Sequence, residues 1–146
     1  MTALAVAVAV AGPARAGGTP EADLEYHGSA LMVGDRMGVT FTPGNHGPSA
    51  VADASVQLRW SVPLADRQSL PDECVRAGER VVVCRTGALP ANGSGKRIEL
   101  GVLLKSSAPE VTVEIDTAWS EGTVDGNRSN DKARVMVLET GDSYVF

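Results

Sequence analysis

The stretch from Asp72 to Pro90, DECVRAGERVVVCRTGALP, contains both cysteines of the chain. Nine residues separate Cys74 from Cys84, and Glu79 lies midway between them, where a β-hairpin would reverse. A hairpin that is symmetric about Glu79 places the two cysteines opposite each other. In a non-hydrogen-bonded antiparallel pair the Cα atoms are about 4.5 Å apart, at the short end of the range for a disulfide. The spacing therefore predicts a hairpin closed by a Cys74–Cys84 disulfide.

Two other roles for the cysteines fit the sequence less well. A structural zinc site needs four ligands, usually in closely spaced pairs, and a redox-active pair usually has the form Cys-x-x-Cys. The chain has two cysteines and neither of these patterns. The disulfide is therefore favoured, with metal and redox roles as the alternatives.

Length and charge exclude several classes of protein. A chain of 146 residues is the size of one domain. Its net charge is −5, and its 13 Lys and Arg residues are dispersed along the sequence instead of clustered. Because a protein that binds DNA or RNA needs a basic surface for the phosphates, we expect no nucleic-acid partner.

The amino terminus has the features of a secretory signal peptide. Residues 3–11 are apolar, a Gly-Pro turn follows, and Ala14-Arg15-Ala16 matches a small-x-small cleavage signal. The apolar run is shorter than the about 20 residues that a membrane-spanning helix needs. We expect a signal peptide over residues 1–16 and an exported protein that is not inserted into a membrane. No basic residue precedes the apolar run, so either translation starts upstream of Met1 or the signal is weak.

Apolar and polar residues alternate along most of the remaining chain, and no segment shows the 3.6-residue period of a helix. This pattern predicts an all-β fold of about seven strands, arranged as a sandwich of two antiparallel sheets. We expect the sandwich over residues 22–140, a lead-in at 17–21 and a carboxy-terminal tail at 141–146. The residues predicted to face inward are Met37, Val39, Phe41, Val56, Leu58, Trp60, Ile98, Leu100, Val102, Leu104, Val111, Val113, Ile115, Trp119, Ala133, Val135 and Val137.

Three segments are predicted to be loops. Residues 43–49 contain two prolines, which lack the amide donor of a ladder, and two glycines, which favour turns, so they should end the second strand. Residues 64–72 are polar and contain a proline, and residues 121–130 are rich in turn formers. For Trp60 and Trp119, both in phase with apolar neighbours, a place in the core is favoured over a sugar-stacking platform.

The segment from Asp125 to Asp131, DGNRSND, carries oxygen side chains at alternate positions, as at the start of a calcium loop. An EF-hand also needs glycine at the sixth position and glutamate at the twelfth, where this chain has Asn130 and Met136. A turn rich in Asx residues is therefore favoured. Whether the segment binds a cation stays open at this level.

His27 and His46 are the two histidines of the chain. With a carboxylate they could hold copper or zinc, and with a serine and an aspartate they could form a hydrolytic triad. No nucleophile elbow accompanies them, so histidines on a surface or loop are favoured. We predict no catalytic residues, no metal ligands and no cofactor.

A series of short motifs runs through nearly all of the chain after the signal peptide, from about Asp23 to Val137. The motifs, in chain order, are Gly34-Asp35, Thr40-Phe41-Thr42, Asn45-His46-Gly47-Pro48-Ser49, Val56-Gln57-Leu58, Val62-Pro63, Cys74, Gly78, Val82-Val83-Cys84, Gly87-Ala88-Leu89 and Asp125-Gly126-Asn127-Arg128-Ser129-Asn130. With these motifs in this order, the chain resembles the bacterial conserved-repeat domain of unknown function eleven, which is related to cell-adhesion immunoglobulin-like domains.

The resemblance implies an immunoglobulin-like sandwich that serves secreted or surface proteins as a stalk or interaction module, without catalytic residues. We therefore expect a secreted, monomeric module with a structural or binding role at or outside the bacterial cell surface. Its partner would be an unidentified protein or a component of the cell envelope. The alternatives are a small secreted metal-binding protein or enzyme that uses His46, and a protease inhibitor that presents loop 64–72.

Overall fold

The computed structural model describes residues 18–146, so the signal peptide predicted at residues 1–16 lies outside the described residues. Nowhere in the described range is there a helix whose length and apolar character would let it cross a membrane. The range contains twelve β-strands: β1 Glu21–Ala22, β2 Leu24–Val33, β3 Arg36–Asn45, β4 Ala54–Trp60, β5 Cys74–Gly78, β6 Val81–Arg85, β7 Gly93–Ser94, β8 Ile98–Leu103, β9 Glu110–Ser120, β10 Val124–Asp125, β11 Lys132–Leu138 and β12 Tyr144–Val145.

The strands form three sheets. One five-stranded antiparallel sheet has the order β11-β9-β4-β6-β5. A second has the order β12-β2-β3, with β7 and β8 both pairing with β3, and β1 and β10 form a short parallel pair. The predicted all-β, antiparallel fold is confirmed. The expected number of about seven strands is too low, chiefly because four of the twelve have only two residues, which is too short to show an alternating pattern.

Both five-stranded sheets contribute to one hydrophobic core. Met32 and Phe41 from one sheet and Leu58 and Val113 from the other belong to the same cluster of buried side chains. The alternation that predicted inward-facing residues is confirmed along β3, β4, β8 and the first part of β9, where those residues are at most 4% exposed. Burial of such side chains is the main force that holds the sheets together.

The sequence predicted that the second strand would end before Pro43. This prediction is wrong. Strand β3 continues to Asn45 and pairs there with the start of β2, with Tyr26 opposite Pro43. The Pro43 carbonyl accepts a hydrogen bond from the Gly95 amide at 2.8 Å. The nitrogen and the carbonyl of a strand residue point to the same side, so the Pro43 nitrogen faces β7 and β8. The pairing of β3 with β8 stops at Phe41, so no ladder hydrogen bond is lost at Pro43.

The predicted hairpin is present. Cys74 and Cys84 are partners across β5 and β6 with their Cα atoms 4.0 Å apart, and their sulfur atoms are at disulfide-bonding distance. The pair is of the non-hydrogen-bonded kind, because the flanking Arg85 amide donates to the Glu73 carbonyl. The turn is formed by Glu79 and the residue after it, so this local prediction is confirmed.

The prediction that Trp119 faces the core is wrong. In the pairing of β4 with β9, Val56 lies opposite Thr117 but Ser55 lies opposite Trp119, so Ala118 is the extra residue of a β-bulge. The bulge reverses the alternation beyond Thr117 and turns Trp119 to the outer face of the sheet. Its side chain is 51% exposed, whereas Trp60 is 1% exposed.

The carboxy-terminal residues, expected to be a tail, include strand β12 on the edge of β2. Tyr144 pairs with Ala30, and the amides and carbonyls of Phe146 and Gly28 exchange two hydrogen bonds of 3.0 and 3.1 Å. The rings of Tyr144 and Phe146 pack against the core. The chain end thus covers part of an edge that would otherwise be open.

Candidate functional site

The candidate site is the solvent-facing side of β4, β9 and β11, which we call the outer face. The strand register places its polar side chains in two rows: Gln57 beside Asp116 and Lys132, and Arg59 beside Glu114 and Arg134. These six side chains line a shallow concavity of about 450 Å³. They alternate in sequence with the core residues of the same strands, because successive side chains of a strand point to opposite faces.

The positive charges of the outer face are only loosely neutralised. Lys132 Nζ lies 3.8 Å from Asp116 Oδ2, and Arg134 Nε lies 3.9 Å from Glu114 Oε1, both between exposed side chains. Pairs of this kind contribute little, about 0–1 kcal/mol. Within residues 18–146, Arg59 has no carboxylate within 4.0 Å. Its guanidinium is therefore available to an acidic group from outside the chain.

Trp119 adds an aromatic surface beside these charges. It is on the same face because Ser55, its partner on β4, precedes the outward-facing Gln57 by two residues. Two residues along a strand cover about 7 Å, so the indole is one row away from Gln57 and Asp116. An exposed indole offers a flat apolar ring and one N–H donor, which suits the face of a sugar ring.

A buried polar cluster joins one end of the outer face. Arg128 donates through Nη2 to Asp116 Oδ1 at 3.3 Å and through Nη1 to Asp131 Oδ2. Asp131 is fully buried. Burial raises the pKa of the Asp131 carboxyl above its ordinary value, an effect opposed by the Thr117 hydroxyl and the Arg128 charge. The Thr117 hydroxyl in turn is hydrogen-bonded to the hydroxyl of Tyr26, whose pKa is also raised by burial.

Both histidines lie at a second constellation. His27 Nε2 is 3.2 Å from Glu25 Oε2, and His46 Nε2 is hydrogen-bonded to Glu25 Oε1. Glu25 and His27 share a face of β2, and His46 follows β3, so pairing of these strands assembles the group. Within residues 18–146, no three or more His, Cys, Asp or Glu residues are arranged to hold a metal ion. In the same range neither ring is hydrogen-bonded to a hydroxyl, as a triad would require.

Loop 64–72 is tied to the sheets. Arg76 donates to the carbonyls of Leu64 and Ala65, and the Gln68 amide bonds to both the amide and the carbonyl of Leu103. Leu64 is buried, and Leu70 packs against the core. These hydrogen bonds fix the loop against the sheets, as the inhibitor hypothesis requires, but the two leucines pack against the core and are not presented to a protease.

The turn-rich interpretation of the Asp125–Asp131 segment is supported by its hydrogen bonds. Asp125 Oδ1 accepts the amide of Asn127, and Asn127 Oδ1 accepts the amide of Ser129, which are successive Asx turns. Sequence reasoning did not identify the outer face as a site. The signal was present in the charged residues that occupy the polar positions of β4, β9 and β11, but which of them are neighbours depends on the register.

Comparison with known proteins places the chain in no family. No protein-family model matches it, and none of the curated proteins matches it significantly. The resemblance to the conserved-repeat domain stays a prediction.

Proposed function

We propose that this protein is a secreted, non-catalytic binding module with an immunoglobulin-like sandwich fold. We further propose that it binds an acidic glycan of the bacterial cell envelope through the outer face. Two five-stranded antiparallel sheets with a common core support the sandwich. The Cys74–Cys84 pair supports an oxidising compartment, because disulfides persist outside the cytosol. The resemblance to the conserved-repeat domain supports a role as an interaction module.

The observation that carries the glycan proposal is the unpaired Arg59 on a face that also exposes Trp119. A guanidinium binds a carboxylate with two parallel hydrogen bonds, and an indole packs against the apolar side of a sugar ring. Ser55, the partner of Trp119, precedes Arg59 by four residues, or about 14 Å along the strand. Successive residues of a uronic acid oligomer present an apolar ring side and a carboxylate over such a distance. The outer face carries three cations and two carboxylates, whereas the whole chain is acidic with a net charge of −5. An acidic ligand is therefore attracted here more than to the rest of the surface.

The shallow, exposed shape of the site predicts the kind of binding. Exposed charges are screened by salt, with a Debye length of about 8 Å at physiological ionic strength. A concavity of about 450 Å³ covers one or two sugar rings, not a long chain. We expect dissociation constants in roughly the micromolar to millimolar range for short oligomers, weakening as salt is added.

Isothermal titration calorimetry with galacturonic acid oligomers tests the proposal, with neutral galactose oligomers as the comparison ligand. Arg59→Gln should weaken binding of the acidic oligomer about tenfold or more, since a charge-assisted hydrogen bond contributes about 1.5–3 kcal/mol. Trp119→Ala should weaken it without unfolding the protein, because the side chain is exposed.

The matched control is Arg36→Gln, which removes an exposed arginine from the other sheet and should leave affinity unchanged. Equal binding of the neutral oligomer, or an Arg59→Gln variant that binds as well as the original protein, would contradict the proposal.

Metal binding is the second candidate, favoured by the approach of His27 and His46 to the same Glu25 carboxylate. Imidazole nitrogens and a carboxylate are ligands for zinc, nickel or copper. The side chains would have to rearrange around the ion. Calorimetric titration with Zn²⁺ should give heat that is lost in His46→Ala; no heat with the original protein would exclude this role.

A further inference from the structure

Most buried side-chain polar atoms in folded proteins have a hydrogen-bond partner, so each exception calls for a physical explanation. The described residues contain four buried side-chain atoms without one. One is the indole nitrogen of Trp60. The other three are oxygens of a single segment, residues 123–131: Thr123 Oγ1, Asn130 Oδ1 and Asp131 Oδ1.

Of the three oxygens, Asp131 Oδ1 costs the most free energy to leave without a partner, because the Asp131 side chain is fully buried. Oδ2 accepts a hydrogen bond from Arg128 Nη1, which leaves Oδ1 without a donor. Arg128 does not supply a second bond to it, since its other terminal nitrogen reaches Asp116. The carboxylate as a whole is paired with Arg128, and the Thr117 hydroxyl is near enough to lower its pKa, but no donor among the described residues is hydrogen-bonded to Oδ1.

The surroundings of Asp131 are rich in negative charge. The carboxylates of Asp125 and Asp116 are close enough to raise its pKa beyond the effect of burial. The positive charges nearby belong to Arg128, which contacts Asp116, and to Lys132, whose Nζ lies 3.8 Å from Asp116 Oδ2. The three carboxylates of Asp116, Asp125 and Asp131 therefore have two cations near them, and both cations contact Asp116.

The segment is held in place before any ligand arrives. Asp125 Oδ2 accepts the Leu24 amide at 3.0 Å, and Asn130 Nδ2 donates to Asp23 Oδ1 at 2.8 Å. These bonds attach the turn to the start of β2. Because the nitrogen of the Asn130 amide is engaged by Asp23, its oxygen is the end of the group that is left for a cation.

We propose that residues 123–131 bind a calcium ion through Asp131 Oδ1 and Asn130 Oδ1, with the Thr123 hydroxyl, water or backbone carbonyls completing its shell. Calcium accepts six to eight oxygen ligands in irregular geometry, including neutral amide and hydroxyl oxygens. Zinc and copper prefer imidazole nitrogen and thiolate sulfur, and residues 123–131 contain no histidine or cysteine.

The composition of the site predicts its affinity. Within residues 18–146 no group of three acidic, histidine or cysteine side chains is arranged around one ion, so few charged ligands contribute. Calcium sites of this kind in extracellular modules have dissociation constants of about 10⁻⁴–10⁻³ M. The proposed site borders the outer face through Asp116 and Lys132. Its ligands lie outside that face, so the calcium proposal would stand if the glycan proposal failed.

Thermal unfolding and calorimetric titration with CaCl₂, up to roughly 10 mM to cover the expected range, test the inference. NaCl at matched ionic strength serves as the screening control. Calcium should raise the melting temperature by about 3 °C or more and give a saturable heat, because a ligand that binds the folded state stabilises it. Asp131→Asn keeps the shape of the side chain but should lose most of both effects, whereas Asp142→Asn, at an exposed carboxylate, should keep them.

Amide chemical shifts of the original protein, measured during the same titration, cover the case in which Asp131→Asn does not fold. Saturable shifts centred on residues 123–131 would support the site. Three results would overturn it: no calcium-specific stabilisation, an Asp131→Asn variant that responds like the original protein, or shifts confined to other acidic surfaces.

Discussion

At the scale of single residues, the two tryptophans show how one inserted residue changes a side chain's role. Both share a parity with buried neighbours in the sequence, and Trp60 is buried as expected. Ala118 has no partner on β4, so Trp119 is turned outward. The consequence is an exposed aromatic ring on a charged face, which the glycan proposal uses.

Gly28 is a residue whose importance comes from close packing. A Cβ atom added there would lie 1.9 Å from the Thr40 carbonyl oxygen and 2.7 Å from Phe41 Cα, both backbone atoms of β3. Gly28→Ala should therefore push β2 away from β3 and reduce the free energy of unfolding by about 1–3 kcal/mol or more. Urea denaturation followed by tryptophan fluorescence measures this.

Gly101 supplies the control, because an added Cβ there meets nothing within 4 Å. Gly101→Ala should leave stability unchanged or raise it by up to about 1 kcal/mol, since alanine restricts the unfolded chain. Equal stabilities of the two variants would show that the contact at Gly28 relaxes freely.

At the scale of elements, the β5–β6 hairpin was predictable because its partners are close in sequence. Replacing Cys74 and Cys84 together by alanine should lower the free energy of unfolding by about 2–3 kcal/mol, as expected for a loop this short. Thermal unfolding with and without a reducing agent measures the effect. The reducing agent should destabilise the original protein and leave the double variant unchanged; an insensitive original protein would contradict a stabilising disulfide.

Strand β3 is the element for which sequence rules were misleading. Proline and glycine are poor ladder residues in general, so an end before Pro43 was the reasonable prediction. The strand continues because Pro43 sits at the gap between β8 and β7, where no amide is needed. That gap is formed by β7 and β8, which begin 50 and 55 residues after Pro43, and no local pattern reveals it.

At the scale of the whole molecule, the carboxy terminus completes a sheet. Removal of residues 141–146 should expose the edge of β2 and lose the packing of Tyr144 and Phe146 on the core. We expect a loss of roughly 1–3 kcal/mol in the free energy of unfolding, by analogy with other losses of buried contacts. An exposed edge also pairs with other chains, so the truncated protein should self-associate. Unfolding curves and light scattering after size-exclusion chromatography measure the two effects.

Val145→Thr is the matched control, since this side chain is 82% exposed and the backbone of β12 is kept. It should leave both the stability and the mass in solution unchanged. A truncated protein with the stability and the mass per chain of the original protein would show that β12 contributes little to the fold.

Alternation and spacing within about ten residues were enough to predict the longer strands, most of their inward faces and the paired cysteines, because these depend on local backbone geometry. The two-residue strands, the end of β3 and the face of Trp119 were not predicted. The partners of Arg59 and the burial of Asp131 were not predictable in this way. The strand register places Arg59 beside Glu114, 55 positions along the chain, and Glu114 beside Arg134, 20 positions further. A register shift of one residue would reverse every face. Bulges and edges, and with them both proposed sites, are set by the long-range packing of the two sheets.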